Sequence, residues 1–153
     1  MKIEEYLSFQ GTKQNFIDQY LTPVFYGGKV FPGYYVDQDG EIWSSKYKHL
    51  RILKWFYNRK MQYPRITLYF NNTVIRPLVH RIVCETFHEV PLPEGVSSEE
   101  WKRTPKSVKA NFYHYWEVHH KDHNKHNYHP DNLEWVSCKQ NMEKYKLYLK
   151  EHT

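Results

Sequence analysis

The stretch WEVHHKDHNKHNYHPDNLEWVSCKQNMEKY, residues 116–145, decides how the rest of the chain is read. Six of the ten histidines lie between His114 and His129, in a polar loop flanked by two short apolar runs. Residues 116–120 suit a strand, 121–131 a long loop and 133–136 a second strand. Ser137, with Gln140 three positions on, is a capping-box signature that starts a helix carrying Met142, Tyr145 and Leu149. The order is strand, loop, strand, helix.

A histidine cluster by itself is more often a solvated loop than a reactive site, so spacing has to carry the functional reading. Hydrolysis of a phosphodiester needs a base to activate water, a cation to neutralise charge in the transition state, and help for the departing oxygen. An imidazole with an ordinary pKa near 6.5 accepts a proton at neutral pH. A neighbouring ligand, with a second on the following helix, can hold a metal against the phosphate. His119, His120 and Asn141 could fill these places.

The pattern V-H-H-K-D-x-N-K-x-N-x-x-x-x-N-L-E-W-V-S-x-x-x-N, from Val118 to Asn141, resembles the HNH motif of phage and intron-encoded homing endonucleases, in the ββα-metal or His-Me finger superfamily. The resemblance implies His120 as general base and His119 as metal ligand. It further implies Asn132 as the residue that orders the loop and the base within the catalytic set, and Asn141 as second metal ligand. The implied cofactor is one divalent ion, Mg²⁺ or Mn²⁺. Many relatives carry Asp at the His119 position, and a neutral imidazole suits a hard cation less well than a carboxylate does. Metal preference is therefore open, with Mn²⁺ or even a softer ion expected to support activity as well as Mg²⁺ or better. His123, His126 and His129 have no place in the motif and read as loop surface, and Asn127 reads as a brace for the loop.

Outward towards the N-terminus, residues 31–44 (FPGYYVDQDGEIWS), 51–54 (RILK), 63–69 (YPRITLY) and 79–87 (VHRIVCETF) are similar to the module that often precedes HNH segments in these endonucleases. Read as residues, 34–36 and 41–44 make a hairpin around Asp37-Gln38-Asp39-Gly40. Residues 65–70 and 73–76 make a second one around Asn71-Asn72. Pro77 suits the first position of an amphipathic helix over 78–87, with Leu78, Val79, Ile82, Val83 and Phe87 on its core face. His80 and Arg81 on this helix suit either a brace for the nuclease segment or a DNA contact. Basic residues interleave with Trp55, Phe56, Tyr57, Tyr63 and Tyr69. Arg51, Lys54, Lys60, Arg65, Arg76 and Arg81 are the candidate phosphate contacts. A short helix carrying Phe16, Ile17, Tyr20 and Leu21 starts at Thr12 and is closed by Pro23, and the irregular stretch 91–115 reads as a connecting loop in which 98–103 or 104–110 could each hold a helical turn.

Composition agrees with this reading. A net charge of +5 favours an acidic partner, and 153 residues with 40% hydrophobic content support one compact core or two small modules that share an interface. Cys84, placed at the polar edge of the core helix, and Cys138, placed at the start of the last one, supply neither a disulfide framework nor a cysteine-based zinc site within one chain. No apolar run approaches the roughly 20 residues of a membrane span, and MKIEEY is too acidic for a signal peptide. The expected place is the cytoplasm, that of a host cell if the chain is phage-encoded as the resemblance suggests.

The expected architecture is α+β: a helical segment over 1–27, a β-rich DNA-contacting module with its core helix over 28–90, a connecting loop over 91–115 and the ββα finger over 116–153. The expected partner is double-stranded DNA, with no membrane and no small-molecule cofactor. One finger carries one base, so a monomer is expected to nick, while cutting both strands takes a homodimer or two sequential encounters; the expected ends are 5′-phosphate and 3′-hydroxyl. The rival reading from another class is an inactive DNA-binding protein that keeps the finger as a fold. A zinc-stabilised structural protein is a third, made remote by the lack of C-x-x-C.

Overall fold

A computed structural model describes residues 1–60 and 62–153, apart from the side chains of residues 110, 113 and 114. The fold is α+β. Helices α1 (Ile3–Leu7) and α2 (Lys13–Tyr20) lead into an antiparallel sheet of β1 (Thr22–Tyr26), β2 (Lys29–Val36), β3 (Ile42–Ser44) and β4 (Arg51–Ile52), in that spatial order. The hairpin of β5 (Leu68–Phe70) and β6 (Thr73–Ile75) follows, then α3 (Val79–Phe87), α4 (Ser98–Arg103) and α5 (Lys106–Lys109). The chain ends with β7 (Trp116–His120), β8 (Leu133–Ser137) and α6 (Cys138–His152).

Thr12 caps α2 by accepting the Asn15 N–H at 3.1 Å. Pro23 does end this helix, but the chain goes straight into β1, so residues 22–26 belong to the sheet rather than to a helical segment ending at 27. An edge strand tolerates proline because its missing N–H faces away from the ladder. In the β2–β3 hairpin the buried carboxylate of Asp37 accepts the N–H groups of Asp39 (2.9 Å) and Glu41 (3.0 Å) and the Trp43 indole N–H (2.8 Å). The turn is thus closed from inside. The β5–β6 turn places both Asn71 (φ 47°) and Asn72 (φ 60°) in the left-handed region, which matches the twist of the two strands.

Helix α3 is the central element. Val79, Ile82 and Val83 are wholly buried, and each such side chain stabilises by roughly 1.5–3 kcal/mol. They share a core with Val24, Val36 and Ile42 of the sheet, Leu68 of the second hairpin, and Val118 and Leu133 of β7 and β8. The last ββα unit is therefore built onto the same core as the sheet. Three expectations are corrected here. Pro77 precedes the helix by two residues, because its carbonyl accepts the Ile66 N–H and holds the chain extended beside 64–66. Cys84 sits in the core rather than at a polar edge, as the helix is covered on that side too. The stretch 91–115 is mostly helical, with a capping box from Ser97 to Glu100, and it delivers Trp101 into a cluster with Phe25 and Val90. No helix among the described residues is long and apolar enough to cross a membrane.

Candidate active site

Strands β7 and β8 pair in register from Trp116↔Ser137 to His120↔Leu133, with His119 opposite Glu134. Ser137 caps α6 by accepting the Gln140 N–H, while the Gln140 side chain accepts the Ser137 N–H at 2.8 Å. This double cap fixes where the helix starts, and so places Asn141 one turn in, against the strands. Glu117, His119, His120 and Asn141 line one cleft of about 430 Å³, together with Tyr63 from the preceding module and His123, Lys125 and Tyr148.

Adjacent residues on a strand face opposite ways, and the two histidines do turn to different neighbours. The His119 Nδ1 lies 2.9 Å from Glu134 Oε1, and that carboxylate also accepts from Lys144 at 3.1 Å. The His120 ring instead stacks on Tyr63, with centroids 5.9 Å apart, and meets His80 edge-on at 5.0 Å. Because His120 is the last residue of β7, both rings still reach the rim of the same cleft. Both are buried, and in each the Nε2 has no hydrogen-bond partner. Such orphaned atoms are costly in a folded interior unless a ligand uses them.

The loop is held by its own polar side chains. Asp122 accepts from the Asn124 N–H (2.8 Å), Asn127 Nδ2 (2.7 Å) and Asn132 Nδ2 (3.0 Å). Burial pushes the Asp122 carboxyl up, but these bonds and the nearby His120 together hold it below its ordinary range. Asn132 also accepts the Asp122 N–H at 3.1 Å and donates to the Asn127 carbonyl at 2.8 Å, so it sits under the loop and does not line the cleft. From the other side Tyr128 donates to Glu41 at 2.9 Å and accepts from Trp55 at 3.0 Å, while His126 packs edge-on against Trp55 and Tyr57. His80 is buried against His120, which leaves it a bracing place rather than a DNA-facing one.

A divalent ion fits the donors present. A metal-binding imidazole usually gives its other nitrogen to a carboxylate, which sets the tautomer and the ring plane. His119 has that arrangement through Glu134, leaving Nε2 as the atom that could ligate. Asn141 donates to Glu117 Oε2 at 2.6 Å, which leaves its Oδ1 as the atom that could ligate. Among the described residues no three His, Cys, Asp or Glu side chains are grouped to hold a metal. Glu117 was missed in the sequence. Its signal was the strand period, which puts it on the His119 side two residues earlier.

The expected phosphate contacts divide into two groups. Arg51, Lys54, Lys60 and Arg76 are exposed on the sheet-bearing half. Arg51 lies over the Tyr47 ring at 4.1 Å, and Arg65, half-buried, donates to the Arg76 carbonyl at 2.7 Å. Arg81 differs. Its guanidinium engages Glu85 (3.1 Å), the Trp116 carbonyl (2.8 Å) and the Trp135 ring (5.0 Å), so it ties α3 to the β7–β8 hairpin. The cation found at the cleft is Lys125, over Tyr63 at 4.9 Å, which charge pattern alone had not singled out.

Burial pushes His80 down to about 3 and His120 down to about 4; positive neighbours add to the effect at both, and Asp122 opposes it at His120. In the unfolded chain both titrate near 6.5, so between that pH and the folded values the unfolded state binds more protons. Stability is therefore expected to be full above about pH 6.5 and to fall as pH drops towards 4, by on the order of 1 kcal/mol per pH unit for each group. Urea midpoints measured from pH 7 to pH 5 test this, and His80→Leu should flatten the slope. Equal midpoints across that range would refute the account.

Residues 78–143 match the family described as HNH endonuclease. Among solved structures the chain is similar to one described as DNA binding and cleavage by the HNH homing endonuclease I-HmuI, at 28% sequence identity and a TM-score of 0.53. The likeness covers 76% of this chain but only 53% of that one, so the chain spans about half the length of its structural relative. No curated protein matches the sequence.

Proposed function

We propose that this chain is a DNA endonuclease that hydrolyses a phosphodiester bond with one divalent ion, Mg²⁺ or Mn²⁺. The observation that carries the reading is the pair His119 and His120 at the end of β7, in an HNH segment, each with a buried Nε2 lacking any partner and both lining one cleft. His119 Nε2 and Asn141 Oδ1 would hold the ion. A bound divalent cation supplies charge neutralisation at the phosphoryl oxygens and at the leaving oxygen.

His120, neutral at physiological pH because burial lowers its pKa, takes a proton from water on Nε2. An arriving phosphate anion favours the imidazolium form and so strengthens the ring as a base. The oxygen of that water bonds to phosphorus with inversion, and the bond to the 3′ oxygen breaks. The ends are 5′-phosphate and 3′-hydroxyl, the 3′ oxygen taking its proton from solvent. Asp122, Asn127 and Asn132 keep the loop that follows the base in one shape. Arg51, Lys54, Lys60, Arg65 and Arg76 would contact the phosphate backbone of double-stranded DNA, with Lys125 at the cleft. One base per chain makes the monomer a nicking enzyme.

Relaxation of supercoiled plasmid across a Mg²⁺ and Mn²⁺ series, with mapping of the ends, tests the proposal. Nicked circles with ligatable ends support it, whereas DNA binding without cleavage in every metal would favour a non-catalytic binding protein. Asn141→Ala should lower activity about 10–100-fold at low metal and regain most of it at high metal, since the loss is of ion affinity. A loss that high metal does not restore would remove Asn141 from the ligand set.

A further inference from the structure

His123 enters the cleft from the loop with φ of 59°, a conformation that Asn or Gly adopts with less strain than histidine does. Its N–H donates to the His120 carbonyl at 2.9 Å, which ties the turn to the end of β7. Its ring is stacked on Tyr148 of α6, with centroids 4.2 Å apart and planes 21° from parallel, and Tyr148 packs in turn on His152 at 4.1 Å. The ring is therefore placed from two sides. It lies 5.0 Å from the His119 ring, at 77° to it, and both line the cleft with Asn141.

That separation has a chemical meaning. A metal–nitrogen bond of about 2.1 Å puts an imidazole centre roughly 3.2 Å from the ion, so two imidazoles at 90–109° on one ion have centres about 4.6–5.3 Å apart. The observed 5.0 Å falls inside this range. On the His119 side the Nε2 is buried and without a partner, while Nδ1 is engaged by Glu134.

We propose that His123 is a third protein ligand, so that the cleft takes a borderline transition ion (Mn²⁺, Co²⁺ or Zn²⁺) through the imidazoles of His119 and His123 and the carboxamide of Asn141. The inference rests on the reading of this cleft as the metal site. Two imidazoles and an amide oxygen favour such ions over Mg²⁺, which prefers carboxylates and its own water. The loop is then part of the metal site, and binding of the ion holds it against α6.

Cobalt binding by the full chain tests this through calorimetry and the visible absorption of bound Co²⁺, neither of which depends on turnover. His123→Asn keeps a residue type that tolerates positive φ. It should weaken Co²⁺ binding at least 10-fold and change the absorption band, with Mg²⁺ affinity altered less than about twofold and the melting temperature of the metal-free protein unchanged. His119→Ala should abolish Co²⁺ binding, and His126→Asn, which changes a loop histidine outside the cleft, should leave it intact. If His123→Asn binds Co²⁺ as the parent does, with the same band, while His119→Ala does not bind, His123 is no ligand and the metal site itself stands. If the parent and His119→Ala bind alike, the metal-site reading fails and this inference with it.

Discussion

His120→Ala is expected to lower the rate of plasmid cleavage by about 10²–10⁴-fold, the contribution of a positioned general base. Affinity for DNA and for the metal should change little, because neither depends on the lone pair of this ring. The ring fills space against Tyr63 and His80, so its removal also opens a small cavity. His120→Asn is the companion variant: it keeps more of the volume and the polarity but supplies no base at neutral pH. Both should lose activity to a similar extent while melting differently. Full cleavage by either, in protein free of contaminating nuclease, would remove His120 from the mechanism.

Gly40→Ala is expected to destabilise the fold strongly although it lies remote from the cleft. Gly40 sits in the β2–β3 turn at φ 87°, where a side chain costs on the order of 1–3 kcal/mol. A Cβ there would also collide with the backbone carbonyl of Tyr128, which is not the flexible end of a side chain and cannot swing away. Overpacking of this kind adds about 1–3 kcal/mol. For a domain of this size the sum lowers the melting temperature by roughly 5–15 °C. The damage should extend to catalysis, since Tyr128 is where the loop that follows the base rests on Glu41 and Trp55. Thermal unfolding and cleavage assays well below the melting point separate the two effects. An unchanged melting temperature would show that the turn and the loop are not coupled as described.

This contact is one of several through which the upstream module supports the ββα unit. The β7–β8 hairpin and α6 have too little apolar surface to stand alone, and α6 has no fully buried residue. Val118 and Leu133 complete a core that belongs mostly to the sheet and α3, and Arg81 ties α3 to the Trp116 carbonyl. The preceding module also forms one wall of the cleft, through Tyr63 against His120.

Local chemistry determined much of this protein from sequence alone. The Thr12 and Ser137 caps, the Asp-Gly and Asn-Asn turns, the apolar face of α3, and the strand-loop-strand-helix order around His119 and His120 all depend on neighbours within a few residues. Such features are legible without a fold. Tertiary structure decided what depends on residues far apart in the chain. It packed the helical turns that 98–110 allowed, because Trp101 finds Phe25 and Val90, and it extended the sheet to Thr22 because β2 offers β1 a partner. It gave Arg81 and His80 partners inside the fold, Glu85 and the Trp116 carbonyl for the first and His120 for the second. It also brought Glu134 to His119 and Glu117 to Asn141, and set His123 5.0 Å from His119. Spacing in sequence names which residues can do the chemistry; which atom of each is left free to do it is settled by the partners that folding places on the other one.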